Sequence, residues 1–191
     1  MKSNNVKEIA VPAIVLFVIV FISVAILAWC NSATYDKIQA INAENTQKAR
    51  QNVLPEATEF GKVSDFKADG IVRDVFEGKY GGNTVGYCVS VTPSGYGGEM
   101  EIMVGVGEDL KLTGIDIVSS NETAGLGKNA SKDSFKNQFK GLTKDISVKK
   151  SAPDSKNNEI QALSGATITS KAVSDGANAA IAAVEKIKEA K

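Results

Sequence analysis

From Ile9 to Trp29 the chain reads IAVPAIVLFVIVFISVAILAW, an apolar run without a charge. As a helix this run is about 30 Å long and matches the hydrocarbon thickness of a bilayer, so the pattern predicts a membrane span over residues 9–30. Pro12 is expected in the first turn, where a missing N–H is tolerated. Trp29 suits the headgroup region at the far end, and Asn31, Ser32 and Asp36 return the chain to water. A cleaved signal peptide fits less well, because its apolar core is usually shorter and small residues precede the cut. Leu27-Ala28-Trp29-Cys30 has the form of a lipidation site, but the bulky Trp29 beside Cys30 argues against cleavage there. Lys2 and Lys7 precede the span and Lys37, Lys48 and Arg50 follow it, so the charges barely choose an orientation.

Past the span, Tyr35 to Asn52 is rich in helix formers and lacks Gly and Pro, which predicts a polar helical stalk ended by Pro55. The pattern then changes period. Ile71–Gly78, Thr84–Pro93, Glu99–Gly107 and Leu112–Ser120 are β-rich with approximate alternation, and Gly, Asn and Pro separate them. Short connections between these strands imply an antiparallel sheet. A helix is expected over Lys132–Phe139, where Phe135, Phe139 and Leu142 share a face, followed by a short strand over Ile146–Lys149. The last helix, Ser170–Glu189, carries Val173, Ala177, Ile181, Val184 and either Ile187 or the stem of Lys188 on its inner stripe. The fold class is therefore α+β, with one N-terminal membrane helix and helices packed on one side of an antiparallel sheet.

Composition removes several kinds of chemistry. The 191 residues contain 22 basic and 22 acidic side chains, which gives no electrostatic reason to expect nucleic acid as a partner. There is no histidine, so the usual general base, the usual haem ligand and most zinc and copper sites are missing. Cys30 and Cys88 are too few for an iron–sulfur cluster or a zinc site, and Cys88, in a strand, reads as a small buried residue.

What remains is the hydroxyl-rich run Leu163-Ser164-Gly165-Ala166-Thr167-Ile168-Thr169-Ser170, between an extended segment, Glu159–Leu163, and the last helix. Gly165 permits tight backbone geometry, and a helix start offers free N–H groups and a dipole that favour phosphate. The same residues also suit a merely capped helix. A serine nucleophile would need Lys171 as a substitute base, since no histidine is available. Gly95–Gly98 and the glycines at 125 and 127 read equally well as turns.

The run Leu163–Ser170 resembles the flavinylation motif of a family of FMN-binding domains, those of the G subunit of the Rnf electron-transport complex and of the C subunit of the sodium-translocating NADH:quinone reductase. Ser94-Gly95-Tyr96-Gly97-Gly98 resembles the family's glycine-rich segment, and Asn121-Glu122-Thr123-Ala124-Gly125-Leu126-Gly127 resembles its Glu-Thr-x-Gly-Leu-Gly loop. The resemblance implies FMN joined through its phosphate to the hydroxyl of Thr167. It implies a surrounding site of Ser164, Gly165, Ala166, Thr169, Ser170, Glu122, Thr123, Gly125, Leu126 and Gly127, with no catalytic side chain and no metal. One position departs from the family pattern: an acidic residue commonly stands six before the modified threonine, and here it is Gln161.

By the same resemblance the chain divides into a cytoplasmic N-terminus (1–8), the membrane helix (9–30), a stalk (31–57) and an FMN-binding domain (58–191) on the outer face of the cytoplasmic membrane. It would relay electrons within a ferredoxin:NAD+ oxidoreductase that moves sodium or protons. Its partners would be other membrane and peripheral subunits of the Rnf complex, including a flavin-carrying membrane subunit, and a flavin transferase for maturation. The Rnf subunit is favoured over its quinone-reductase counterpart. A cofactor-free tethered module and a stand-alone flavin reductase are the readings from other classes.

Overall fold

The computed structural model describes residues 3–64 and 66–190. Met1 and Lys2 of the expected N-terminal segment lie outside the described residues. Helix α1 runs Ser3–Val53 without interruption, so span and stalk are one helix. Pro12 is inside it rather than in its first turn, because the helix starts earlier, at Ser3. The stretch Ile9–Tyr35 has a mean hydropathy of 3.1 and none of its most apolar window is buried in protein. A helix apolar all round with no protein cover is what a bilayer accommodates. The helix ends just before Leu54-Pro55, since proline disfavours helical backbone in the residue ahead of it.

Chain contacts separate Met1–Ala43 from a compact unit, Glu44–Lys191. The last turns of α1, ahead of the boundary expected at Thr58, pack as part of the globular unit. That unit is built on a five-stranded antiparallel sheet in the order β1 (Glu59–Lys62), β2 (Val72–Tyr80), β3 (Asn83–Val91), β4 (Met100–Gly107) and β5 (Leu112–Ser120). The sequence pattern indicates β2 to β5. It misses β1, a short edge strand with little burial to impose an alternation.

Strand β4 almost throughout, and β3 from Gly86 onward, are buried because both faces of the sheet are covered there. One face meets the long helix α3 (Thr167–Glu189), whose Val173, Ala177, Ile181 and Val184 are buried in the main core as the apolar stripe predicts. Phe135 and Phe139 join that core with their rings edge to face at 5.5 Å between centroids. The helix expected over Lys132–Phe139 shrinks to the single turn α2 (Asp133–Lys136), with tighter 3-10 turns on either side.

The other face receives the end of α1. Ala49, Val53, Leu54 and Ala57 form a second core with Cys88 and Met103, so helices do not cover one side only. Glycines make this seat: a Cβ on Gly105 would collide with the Val53 carbonyl oxygen, and one on Gly78 would collide with Leu54 Cδ2. The Thr113 hydroxyl donates to the same Val53 carbonyl. Beside the main sheet, β6 (Ser147–Lys149) pairs in parallel with β7 (Glu159–Gln161), and β7 delivers the chain to the turn before α3.

Candidate functional site

Helix α3 begins at Thr167, three residues before the expected Ser170, and its N-cap is Ala166 with no side-chain cap. The reading of the hydroxyls as helix caps is thus not met. The turn into α3 is stitched from behind: Ser170 Oγ accepts from the Leu163 N–H and donates to the Ala166 carbonyl, both at 2.9 Å. Gly165 turns the chain with φ +73°, and a Cβ there would also lie 3.0 Å from Leu126 Cδ2. The positive φ favours glycine at this position, while the Leu126 side chain is free to yield.

The hydroxyls of the run therefore differ in what they can do. Ser170 and Thr169 are fully buried, and Thr169 Oγ1 donates to Glu122 Oε2 at 2.9 Å. Thr167 is half-buried and its hydroxyl makes no hydrogen bond among the described residues, while Ser164 is exposed and equally unbonded. The backbone N–H groups of Thr167, Ile168 and Thr169 are the orphan donors of the helix start.

A cleft of about 580 Å³ opens at this helix start. One wall is the turn and first residues of α3, Gly165 to Thr169. A second wall is the loop after β5, through Glu122, Thr123, Leu126 and Gly127, and Tyr96 reaches in from the β3–β4 loop. Tyr96, Leu126 and Ile168 keep 73%, 43% and 56% of their surface exposed, so the cleft presents apolar surface to whatever enters it.

Glu122 holds the walls together. It is buried, and its Oε1 accepts from the Gly97 N–H at 3.1 Å while Oε2 takes the Thr169 hydroxyl. One carboxylate thereby ties the glycine loop, the loop after β5 and the first turn of α3 together. A Cβ on Gly95 would collide with Oε1, and one on Gly127 would collide with Oε2. The glycine segment that reads as a simple turn is thus also the socket for this side chain.

Thr167 also borders a second, more polar groove of about 450 Å³, lined by Lys150, Gln161 and Ser164 among others. Gln161, the residue that departs from the family pattern, faces the groove onto which Thr167 opens.

Of the residues singled out from the sequence, the cleft collects Glu122, Thr123, Leu126, Gly127, Gly165, Ala166, Thr167 and Thr169. Ser164 lies in the polar groove, and Ser170 braces the turn from inside. Gly125 lines neither: its φ is +79° and a Cβ there would meet nothing within 4 Å. Its neighbours Leu126 and Gly127, rather than Gly125 itself, face the cleft. Lys171 is exposed and borders neither space. Tyr96, Ile168 and Lys150 escape the sequence reading as individual site residues. An exposed aromatic inside a glycine run is the available signal for Tyr96; Lys150 carries none, because only the β6–β7 pairing brings it near Thr167.

Cys88 belongs to the core under the end of α1, and burial pushes its thiol up to about 12.

The FMN-binding domain family matches residues 95–182, a stretch that contains the cleft. The G subunit of the Na+-translocating ferredoxin:NAD+ oxidoreductase complex of Acetobacterium woodii is 37% identical over 190 residues, covering 92% of this chain and 91% of that protein. The G subunit of the proton-translocating ferredoxin:NAD+ oxidoreductase complex of Clostridium ljungdahlii is 44% identical over 130 residues, covering 68% and 66%. Among solved structures, the C subunit of the Na+-translocating NADH-quinone reductase of Parabacteroides distasonis shares the fold with a TM-score of 0.59 at 22% identity, over 78% of this chain and 94% of that one.

Proposed function

The chain belongs to the G subunits of the ion-translocating ferredoxin:NAD+ oxidoreductase (Rnf) complexes, and from that premise we propose that it is their membrane-anchored electron-transfer flavoprotein, with FMN esterified to Thr167. The observation that carries the attachment is the state of Thr167: a half-buried hydroxyl without a hydrogen bond among the described residues, at the uncapped start of a long helix and on the rim of the apolar cleft. The other hydroxyls of the run lack one of these attributes. Thr169 and Ser170 are buried and engaged, and Ser164 is away from the cleft.

The residues present fit the cofactor. The orphan N–H groups of Thr167, Ile168 and Thr169 suit a phosphate, because the helix dipole and free donors both favour negative charge. Lys150, which lines the polar groove together with Thr167, adds a solvated positive charge. Tyr96, Leu126 and Ile168 offer apolar surface to a flat ring, and the cleft volume falls within the usual range for ligand sites. When bound, FMN supplies the redox chemistry, which this chain's own side chains do not. The chain's part is to hold it: an ester at Thr167 prevents loss from an open site and keeps the ring near a partner's redox centre.

In this reading the flavin is installed by a flavin transferase, and electrons pass between this protein and a flavin-carrying membrane subunit among the membrane and peripheral subunits of the complex. The N-terminus lies in the cytoplasm and the FMN-binding domain on the outer face of the membrane. The relatives that share 37% and 44% identity act on ferredoxin and NAD+ by name, which favours the Rnf complex over the quinone reductase.

Intact mass spectrometry of the chain purified from its own membranes tests this. We expect one added FMN unit, and peptide mapping should place it on Thr167. A colourless chain of unmodified mass would support the cofactor-free module instead, and FMN on Ser164 would move the anchor.

A further inference from the structure

Among the residues that line the cleft, Glu122 is the only acidic one. It is 4% exposed, and none of the ion pairs among the described residues includes it. Each oxygen has one hydrogen-bond partner, the Gly97 N–H for Oε1 and the Thr169 hydroxyl for Oε2. A buried charge without a counter-ion is expensive, and an amide, or an apolar residue with an alanine at Gly127, would fill the same space at lower cost. Its surroundings are nevertheless shaped for it, since side chains on Gly95 or Gly127 would collide with one or other oxygen. The carboxyl group is thus held at a fixed place in the wall of a cleft that the helix start makes receptive to anions.

We propose that Glu122 sets the redox potential of the flavin, lowering it through its fixed negative charge. The proposal rests on the reading of this cleft as the FMN site and deepens it. Adding electrons to a group beside an anion costs Coulomb energy, and the cost is larger where protein has displaced water. Because Glu122 is tied to Gly97 and to Thr169, it cannot swing out to solvent as the flavin gains charge. Glu122 is here a tuning and positioning residue: it does not exchange electrons or protons with a partner.

Redox titration of the full-length, flavin-loaded chain, followed by flavin absorbance, tests this in three variants. Glu122→Gln removes the charge and keeps the size, and its midpoint potential should rise. Glu122→Asp keeps the charge at shorter reach, and its potential should stay closer to that of the unaltered chain than the Gln variant does. Thr169→Ser keeps the donor and the carboxylate but removes a methyl from the buried first turn of α3, so its potential should stay. Equal shifts in the Gln and Asp variants, no shift in the Gln variant, or a rise in Thr169→Ser like that of the Gln variant would overturn the proposal, since each points to loosening of the cleft rather than charge. If neither Glu122 variant takes up flavin, Glu122 serves to build the site and the proposal fails. An unaltered chain that carries no flavin would instead defeat the FMN reading itself.

Discussion

Thr167, Thr169 and Ser170 are near neighbours in sequence, yet their surroundings give them different work. Replacing Thr167 by Ala should abolish flavin attachment, as read by intact mass, while changing stability by no more than about 1 kcal/mol, because its hydroxyl bonds to nothing among the described residues. Thr169→Ala should behave in the opposite sense. It strips a donor from a buried carboxylate and should lower unfolding free energy by about 1–3 kcal/mol, with Thr167 still available for modification. Gly97→Ala should also destabilise, by about 1–3 kcal/mol, since its Cβ would collide with the backbone oxygen of Asn121 and would push the glycine loop off the loop after β5. At this scale the sequence shows which residue types gather at the site, by resemblance. It cannot rank the hydroxyls, because burial and hydrogen-bond partners depend on how the chain folds around them: Glu122 for Thr169, Leu163 and Ala166 for Ser170.

Among the elements, α3 and the strands β2 to β5 are legible because one face of each packs on a core, which imposes a period of 3.6 or 2 on the apolar residues. Pattern alone starts α3 too late, since Thr167 to Thr169 carry no apolar stripe that would extend it backward. The end of α1 reads only as polar stalk, because its contact with the sheet is made by few residues, Ala49, Val53, Leu54 and Ala57. That contact has a titratable reporter in Cys88, whose thiol is raised from 9.0 to about 12 by burial. Below pH 9 the thiol is neutral in both the folded and the unfolded chain. Between about 9 and 12 only the unfolded chain ionises it, so stability should fall as pH rises through that window, by at most about 1.4 kcal/mol per pH unit. Denaturant titrations at a series of pH values should show a shallower decline in Cys88→Ala, and equal slopes would mean that the thiol is not held in this core.

For the molecule as a whole, the compact unit beginning at Glu44 makes truncation informative. A fragment from Glu44 onward should be soluble and melt cooperatively. One from Thr58 onward loses the cover over Cys88 and Met103, and should melt lower and react faster with thiol reagents; equal melting temperatures would show that the end of α1 contributes nothing. Protease applied to cells stripped of their wall should cut beyond Asn31 if the FMN-binding domain faces outward, and protection of that domain would reverse the proposed orientation. The membrane helix needs no tertiary information, since an uncharged run of bilayer length satisfies its own backbone hydrogen bonds whatever it packs against. The α+β class likewise follows from local periodicity, because each strand and helix repeats its apolar positions within a few residues. The cleft does not. It exists because the glycine loop, the loop after β5 and the first turn of α3 converge on Glu122, and that convergence depends on long-range pairing and close approaches that no local pattern encodes.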